Sequence, residues 1–359
     1  MKKVIYISYA VCAIAMFALL FYMFDHLRVI ESNTREDNEY TQLQPYRTWV
    51  VKDSGAPIGV SKVFQFKVPA IGKGTKTLAF YSHHQDVVIY KGDKVIYQRR
   101  VYQGNPFGRT SGQGWNDLTL YSEDSGKILT VVMSPEYSTV QGIDVTFYYG
   151  SKIKIWLHDV IRQLAPSILS LIAIVMGMIF VVFILVNIRN KKINRNLLFM
   201  GIFSICIGVW KITDAGILQL LFGNNILFSY IPFVSLLLCV IPFVLFMRTL
   251  FTDRESKGWY IVCLASLAVM VFSFVVQILN KGDMRETLPF NHAVMGVMAL
   301  VTVVQVVRQW KKQGMNRKLK LIFCCFLTCI VGLIGDTITF YTTEGMGSMV
   351  FGIFGFIIF

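Results

Sequence analysis

The chain of 359 residues is 54% hydrophobic and 14% aromatic, and it carries a formal net charge of +14. A composition this apolar is typical of membrane proteins. A strongly basic chain can also bind nucleic acid, so the position of the charge along the sequence decides between the two interpretations.

Eight hydrophobic segments are predicted, one before and seven after a polar region at 25–160. A membrane helix needs about 20 apolar residues, and the segments lie at 4–24, 166–188, 197–222, 226–247, 259–279, 288–307, 319–341 and from 347 onward. The first predicts an N-terminal membrane anchor at 1–24, with a cleaved signal segment as the alternative. The last reaches Phe359 after about 20 Å of helix, whereas the hydrocarbon core is roughly 30 Å thick, so we expect this helix to be truncated.

The basic residues lie on one side of these segments. With a cytoplasmic N-terminus, the inner stretches 1–3, 189–196, 248–258 and 308–320 hold 15 Lys and Arg and only two acidic residues. The short outer loops hold two basic residues, Lys281 and Arg285. This is the distribution that the positive-inside rule describes. The charge therefore predicts a multi-pass protein of the cell membrane, with 25–160 extracytoplasmic, the C-terminus toward the cytoplasm, and lipid rather than nucleic acid as its partner.

The exported region is predicted to be all-β. After a charged linker at 25–45, apolar and polar residues alternate with the period of two that is typical of strands. Seven or more short strands with intervening turns favour a β-sandwich of the jelly-roll type at 46–152. Helical spacing of apolar residues at 153–165 predicts a juxtamembrane helix, followed by a seven-helix transmembrane domain at 166–359. The fold class is therefore a multi-domain membrane protein with an all-β and an α-helical part.

One irregular stretch, 103–115, combines four glycines with aromatic and polar side chains. Asn105, Phe107, Arg109 and Trp115 are the candidate ligand-binding residues, because sugar rings stack on aromatic rings while polar groups bind their hydroxyls. A purely structural loop that crosses the edge of the sandwich is the alternative. The adjacent His83 and His84 would point to opposite faces of a strand, so no metal site is predicted, and no cofactor is expected.

A second candidate site lies among the predicted membrane helices. Charged side chains there are costly and usually face the interior of the bundle. The candidate polar cluster consists of Trp210, Lys211, Asp214, His292 and Asp336. It could form a ligand pocket or a two-state lock beneath the exported domain, or it could be a salt bridge that only packs helices together.

Five stretches of the sequence, at 81–97, 107–120, 201–224, 230–246 and 287–292, resemble a bacterial family. The chain is similar to the seven-transmembrane receptors with diverse intracellular signalling modules, of the type with an exported jelly-roll domain. The resemblance implies that the exported domain senses a small, carbohydrate-like molecule and that the helices relay this inward. It also implies a cytoplasmic output domain beyond this chain, a GGDEF diguanylate cyclase or, as the alternative, a histidine kinase. A homodimer is expected by analogy, since such outputs generally work in pairs.

No catalytic motif occurs in the sequence, which lacks both the GGDEF string and a phosphoacceptor helix. No catalytic residue is therefore assigned. Two other function classes stay open at this point. One is a membrane transporter with a β accessory domain, and the other is a membrane-embedded transferase or hydrolase built on His292 and Asp336.

Overall fold

The structure is a computed structural model. It describes residues 40–53, 55–72, 74–100, 110–187, 189, 196–222, 225–251, 256–317, 319–324, 326–327, 331 and 334–335. The predicted segments at 4–24 and from 347 onward, and most of the one at 319–341, lie outside the described residues.

The described part of the chain begins with nine strands in two antiparallel sheets. The strands are β1 (Tyr40–Gln42), β2 (Arg47–Lys52), β3 (Val60–Lys67), β4 (Lys76–His83), β5 (Gln85–Lys91), β6 (Lys94–Arg99), β7 (Gln113–Leu120), β8 (Ile128–Pro135) and β9 (Phe147–Gly150). One sheet has the order β1-β9-β4-β7 and the other the order β2-β3-β8-β5-β6. The core between them is built from inward-facing side chains, among which Phe64, Phe66 and Phe80 surround the ring of Phe147 at centroid distances of 4.6 to 5.0 Å.

Most strands lie where the alternating pattern predicts them. The hairpin of β5 and β6 turns at Gly92, whose φ of 61° suits a tight turn of this kind. The first strand differs, because Tyr40–Gln42 falls inside the stretch predicted as a linker and pairs with β9 at the other end of the domain. A strand of three residues with a partner more than a hundred positions away has no local signal in the sequence.

Six helices with complete bounds follow the sandwich among the described residues, and residues 319–324 are helical as well. The six are α1 (Lys152–Val186), α2 (Asn196–Asp214), α3 (Ile217–Phe222), α4 (Asn225–Leu250), α5 (Lys257–Ile278) and α6 (Met284–Gln313). Five of them, all except α3, are long and apolar enough to cross a membrane. These five coincide with the second to sixth predicted segments. The coarse prediction of a β domain followed by apolar membrane helices is therefore confirmed, with five candidate spans in the described part of the chain.

Two helix boundaries differ from the predictions. The stretch 153–165 is continuous with the first membrane helix, and Pro166, which was expected to begin a helix, lies inside α1. The segment predicted as one span at 197–222 is instead two helices, because the chain turns at Gly216. Gly216 has a φ of +78°, and a left-handed glycine directly after a helix is a common way to end it.

Small residues allow α1 and α2 to pack closely. A Cβ atom added at Gly177 would lie 2.6 Å from the carbonyl oxygen of Gly201, so only glycine fits at this crossing. The hydroxyl of Ser204 donates to the carbonyl of Ala173 at 2.7 Å. This close crossing fixes where the ends of α1 and α2 lie beneath the sandwich.

Several helix ends contact the sandwich directly. The amide of Gln113 in β7 donates to Ser229 Oγ near the start of α4 at 2.8 Å. The hydroxyl of Tyr81 in β4 donates to Gln219 Oε1 in α3 at 3.4 Å. The first turns of α1, the end of α2 and the connection between α5 and α6 lie on this same side. These are the helix ends that the charge count assigns to the outer face.

Candidate ligand site between the sandwich and the helices

A cavity of about 100 Å³ lies where the sandwich meets the helices. The sandwich contributes Tyr81, His83, Gln113, Trp115, Thr146 and Tyr148 to its wall. The helices contribute His158, Asp159, Arg162 and Gln163 from α1, and Lys211, Asp214 and the adjacent Ala215 from the end of α2. Both halves of the described chain are therefore needed to form it.

The sandwich side of the cavity is a row of rings. In the pairing of β4 with β7, Tyr81 lies opposite Trp115, and residues two apart on a strand share a face. The ring centroids of Tyr81 and Trp115 are 5.8 Å apart at an interplanar angle of 84°, and those of Trp115 and Tyr148 are 5.9 Å apart. His83 continues the row, with its ring centroid 4.7 Å from that of Tyr81.

The first turns of α1 bring a carboxylate against these rings. Asp159 is only 8% exposed, and its Oδ2 accepts a hydrogen bond from Trp115 Nε1 at 2.9 Å. The ring centroid of His158 lies 6.4 Å from that of Tyr148, with the two rings tilted by 47°. Arg162 follows Asp159 by three residues, which places both on one face of the helix. The side chain of Arg162 is exposed at the mouth of the cavity.

The end of α2 adds an ion pair. Lys211 is 3% exposed, and its Nζ lies 3.1 Å from Asp214 Oδ2, three residues further along the helix. The ammonium group also lies 5.7 Å from the ring centroid of Trp210. Burying a charge without a partner is expensive, so the position of Lys211 depends on this carboxylate.

The structure brings together three residues that the sequence assigned to two separate sites. Trp115 was predicted in the exported loop, and Lys211 and Asp214 in the membrane cluster, yet all three line one cavity. Trp210 packs in the hydrophobic core of the helices. His292 is half-buried on α6 and is not among the residues that line the cavity. Asn105, Phe107, Arg109 and Asp336 lie outside the described residues.

Apart from His83, which was considered only as a metal ligand, the sequence did not single out the other residues of the cavity. Tyr81 and Tyr148 lie in stretches where the alternating pattern predicts only strands. Asp159 and Arg162 carried the one available signal, since two charges three apart in a helix entering the membrane share one face. Which strand residues they meet is set by the pairing of distant strands, and a local pattern does not contain that information.

The two adjacent histidines have different surroundings. His83 is 5% exposed, lines the cavity, and its Nε2 has no hydrogen-bond partner among the described residues. Burial and the positive charge of Arg285 lower the pKa of His83 to about 3, so its ring is neutral at physiological pH. His84, at a left-handed φ of 49°, contacts Thr110 Oγ1 through Nδ1 at 2.8 Å. Within the described ranges no group of three or more potential metal ligands occurs.

A second polar junction joins the sandwich to the start of α6. Asp283 is 1% exposed and is the N-cap of α6, where it forms a capping box with Glu286. The hydroxyl of Tyr137, just after β8, donates to Asp283 Oδ2. Tyr230 Oη and Gln277 Nε2 donate to Oδ1 at 3.1 and 2.8 Å. One carboxylate thus caps a membrane helix and holds the sandwich at the same time.

Glu136 lies directly before that tyrosine and is buried. Its Oε1 accepts hydrogen bonds from the amide and the hydroxyl of Ser111 at 2.6 and 2.8 Å, while Oε2 has no partner among the described residues. Burial raises the pKa of Glu136 to about 8. The junction therefore contains an acid that holds its proton near neutral pH.

No protein-family model matches the chain, and no curated protein matches it in sequence.

Proposed function

We propose that the chain is the sensory part of a membrane receptor, which binds a small molecule in the cavity between the sandwich and the helices. The observation that carries this proposal is that the cavity wall comes from both, with Tyr81 and Trp115 on one side and Asp159, Lys211 and Asp214 on the other. A ligand in such a place contacts both parts at once. Any ligand that prefers one arrangement of the two shifts the population toward it.

The relay that we propose runs through the buried contacts of the interface. Tyr137 connects the sandwich to Asp283, and Asp283 caps α6. A displacement of the sandwich that withdraws the tyrosine weakens the cap of a 30-residue helix that is long enough to cross the membrane. On the other side of the interface, Trp115 is hydrogen-bonded to Asp159 in α1, a helix continuous from the sandwich to Val186.

The same proposal includes the jelly-roll topology, the orientation in the membrane and the output domain. If β2 is set aside, the strand orders 1-9-4-7 and 3-8-5-6 are those of two interlocked Greek keys, which supports a jelly roll. The excess of Lys and Arg supports a sandwich outside the cell and inner-face ends at the loops 189–196 and 308–320. Resemblance to the seven-transmembrane receptors supports two further membrane helices, a cytoplasmic diguanylate cyclase and a dimeric assembly.

A stability screen of the purified chain in lipid nanodiscs tests the proposal. Sugars, amino acids, organic acids and ammonium compounds are added singly, and at least one is expected to raise the melting temperature, because a ligand that binds only the folded state stabilises it. In the variant Thr146→Trp the bulky ring stands at the exposed rim of the cavity and should abolish the response. Thr119→Trp, at an exposed site of β7 that does not line the cavity, is the matched control.

Two outcomes would contradict the proposal. In the first, no class of compound stabilises the folded chain. In the second, a compound does so, but Thr146→Trp responds to it as strongly as Thr119→Trp does.

A further inference from the structure

We propose that the ligand of this cavity is a small zwitterion that carries both an ammonium group and a carboxylate, such as trimethylglycine. The inference rests on the proposed function, since it assigns a ligand class to the same site. It is drawn from the charges and rings of the wall, which offer complementary groups for both ends of such a molecule.

The rings are suited to the ammonium end. Tyr81, Trp115 and Tyr148 form a continuous row with centroid spacings of 5.8 and 5.9 Å. The face of an aromatic ring attracts a cation within about 6 Å, and a quaternary ammonium, which cannot donate hydrogen bonds, is bound well by several rings. The carboxylates of Asp159 and Asp214 lie in the same wall and add negative charge.

Lys211 and Arg162 are suited to the carboxylate end. An ammonium group has three donors, and among the described residues the hydrogen bond of Lys211 goes to Asp214. The guanidinium of Arg162, at the mouth, can hold a carboxylate with two parallel hydrogen bonds. His83 contributes a buried Nε2 without a described partner.

The balance of charge favours a zwitterion over a singly charged or neutral ligand. The wall holds two basic and two acidic side chains beside two histidines, of which the buried His83 is neutral. An anion would be attracted by Lys211 and repelled by Asp214, and a cation would meet the reverse. A neutral sugar would remove water from all four charged groups without supplying an opposite charge to any of them.

The size of the cavity agrees with a molecule of this kind. A closed apolar cavity of roughly 150 Å³ accommodates benzene. The present cavity is about 100 Å³, so trimethylglycine, which has eight heavy atoms, fits only with one end at the mouth beside the exposed Arg162.

Isothermal titration calorimetry of the full chain in lipid nanodiscs tests the inference with three matched probes. These are trimethylglycine, its carbon isostere 3,3-dimethylbutanoate, which lacks the positive charge, and choline, which lacks the carboxylate. We expect trimethylglycine to bind about ten- to thirty-fold more tightly than either of the others. Equal affinity for the carbon isostere overturns the inference, as does the absence of trimethylglycine binding to folded protein.

Two variants keep the test specific. Arg162→Gln, at an exposed position, is expected to weaken the binding of trimethylglycine until its affinity approaches that of choline. The affinity for choline itself should not change. Asp144→Asn, at a site of the sandwich with a 93% exposed side chain, is the control and should change neither. Loss of both ligands in Arg162→Gln, or of neither, contradicts the assigned role of the arginine. A neutral sugar that binds instead, and is lost in Thr146→Trp, refutes the zwitterion but leaves the receptor proposal intact.

Discussion

Removing the hydroxyl of Tyr137 should loosen the start of helix α6. In Tyr137→Phe the ring stays in place, but Asp283 loses one of the hydrogen bonds that hold it against the sandwich. A hydrogen bond to a charged group contributes about 1.5–3 kcal/mol. Asp283 keeps its bonds from Tyr230 and Gln277, so the carboxylate stays in place, but it no longer ties the start of α6 to the sandwich.

Hydrogen exchange measures how far the start of α6 is loosened, because it reports on the backbone amides at that place. The amides of Asp283 and Met284 donate to Glu286 Oε2 and Gln277 Oε1, so they exchange only when this junction opens. A loss of 1.5–3 kcal/mol corresponds to exchange that is roughly 10- to 150-fold faster in a peptide covering 280–290.

Tyr149→Phe is the matched control for this experiment. Tyr149 is also a buried tyrosine of the sandwich, at 8% exposure, but its hydroxyl has no hydrogen-bond partner among the described residues. Deleting an unpaired buried hydroxyl is neutral or slightly stabilising. Equal exchange rates at 280–290 in Tyr137→Phe and wild type would show that the contact does not hold the start of α6.

Further predictions concern packing, protonation and backbone conformation. Gly177→Ala should cost about 1–3 kcal/mol and lower the melting temperature, because its Cβ would meet backbone atoms of α2. In contrast, Gly296→Ala should not lower the melting temperature, because the added Cβ would have no atom within 4 Å. Because burial raises the pKa of Glu136 from 4.5 to about 8, the folded state keeps a proton that the unfolded state loses. The melting temperature should therefore fall from pH 6.5 to 8 in wild type and stay flatter in Glu136→Gln; parallel curves would contradict this. The lowered pKa values of His83 and His84 act in the opposite direction near pH 6.5, and the comparison with Glu136→Gln isolates the glutamate because both histidines are present in both proteins. Gly216→Ala should cost about 1–2 kcal/mol, since its left-handed φ of +78° disfavours a Cβ; a melting temperature equal to that of wild type would refute this.

Local patterns were sufficient for most elements of the fold. Hydropathy places five membrane helices because each needs a long apolar run, and alternation places most strands because one face of each is buried. Two helix boundaries differ from the predictions because of single residues whose effect hydropathy does not show. Pro166 continues a helix although proline removes a backbone donor, and Gly216 breaks an apolar run that would otherwise predict a single span.

The candidate site was only partly predictable. Charges in an apolar segment pointed to Lys211 and Asp214, because such charges are costly and need a partner. Trp115 was identified by its unusual loop composition. That the three meet depends on the pairing of β4 with β7 and on the docking of the sandwich onto α1 and α2, which are contacts between distant parts of the chain. The spacing of residues within one segment does not predict contacts between distant segments.

A ligand in the cavity should move the far ends of the membrane helices relative to one another. A distance measurement by pulsed electron paramagnetic resonance tests it, with labels at Val186 and Lys312, which are exposed at the ends of α1 and α6 remote from the sandwich. Encoded amino acids that carry the labels avoid the seven native cysteines.

The compound that stabilises wild type but not Thr146→Trp is the ligand for this measurement. We expect the compound to shift the distance by about 1–2 Å, as helix movements in signalling proteins do, and Tyr137→Phe to reduce the shift. Full binding of the compound with an unchanged distance distribution would refute the proposed relay.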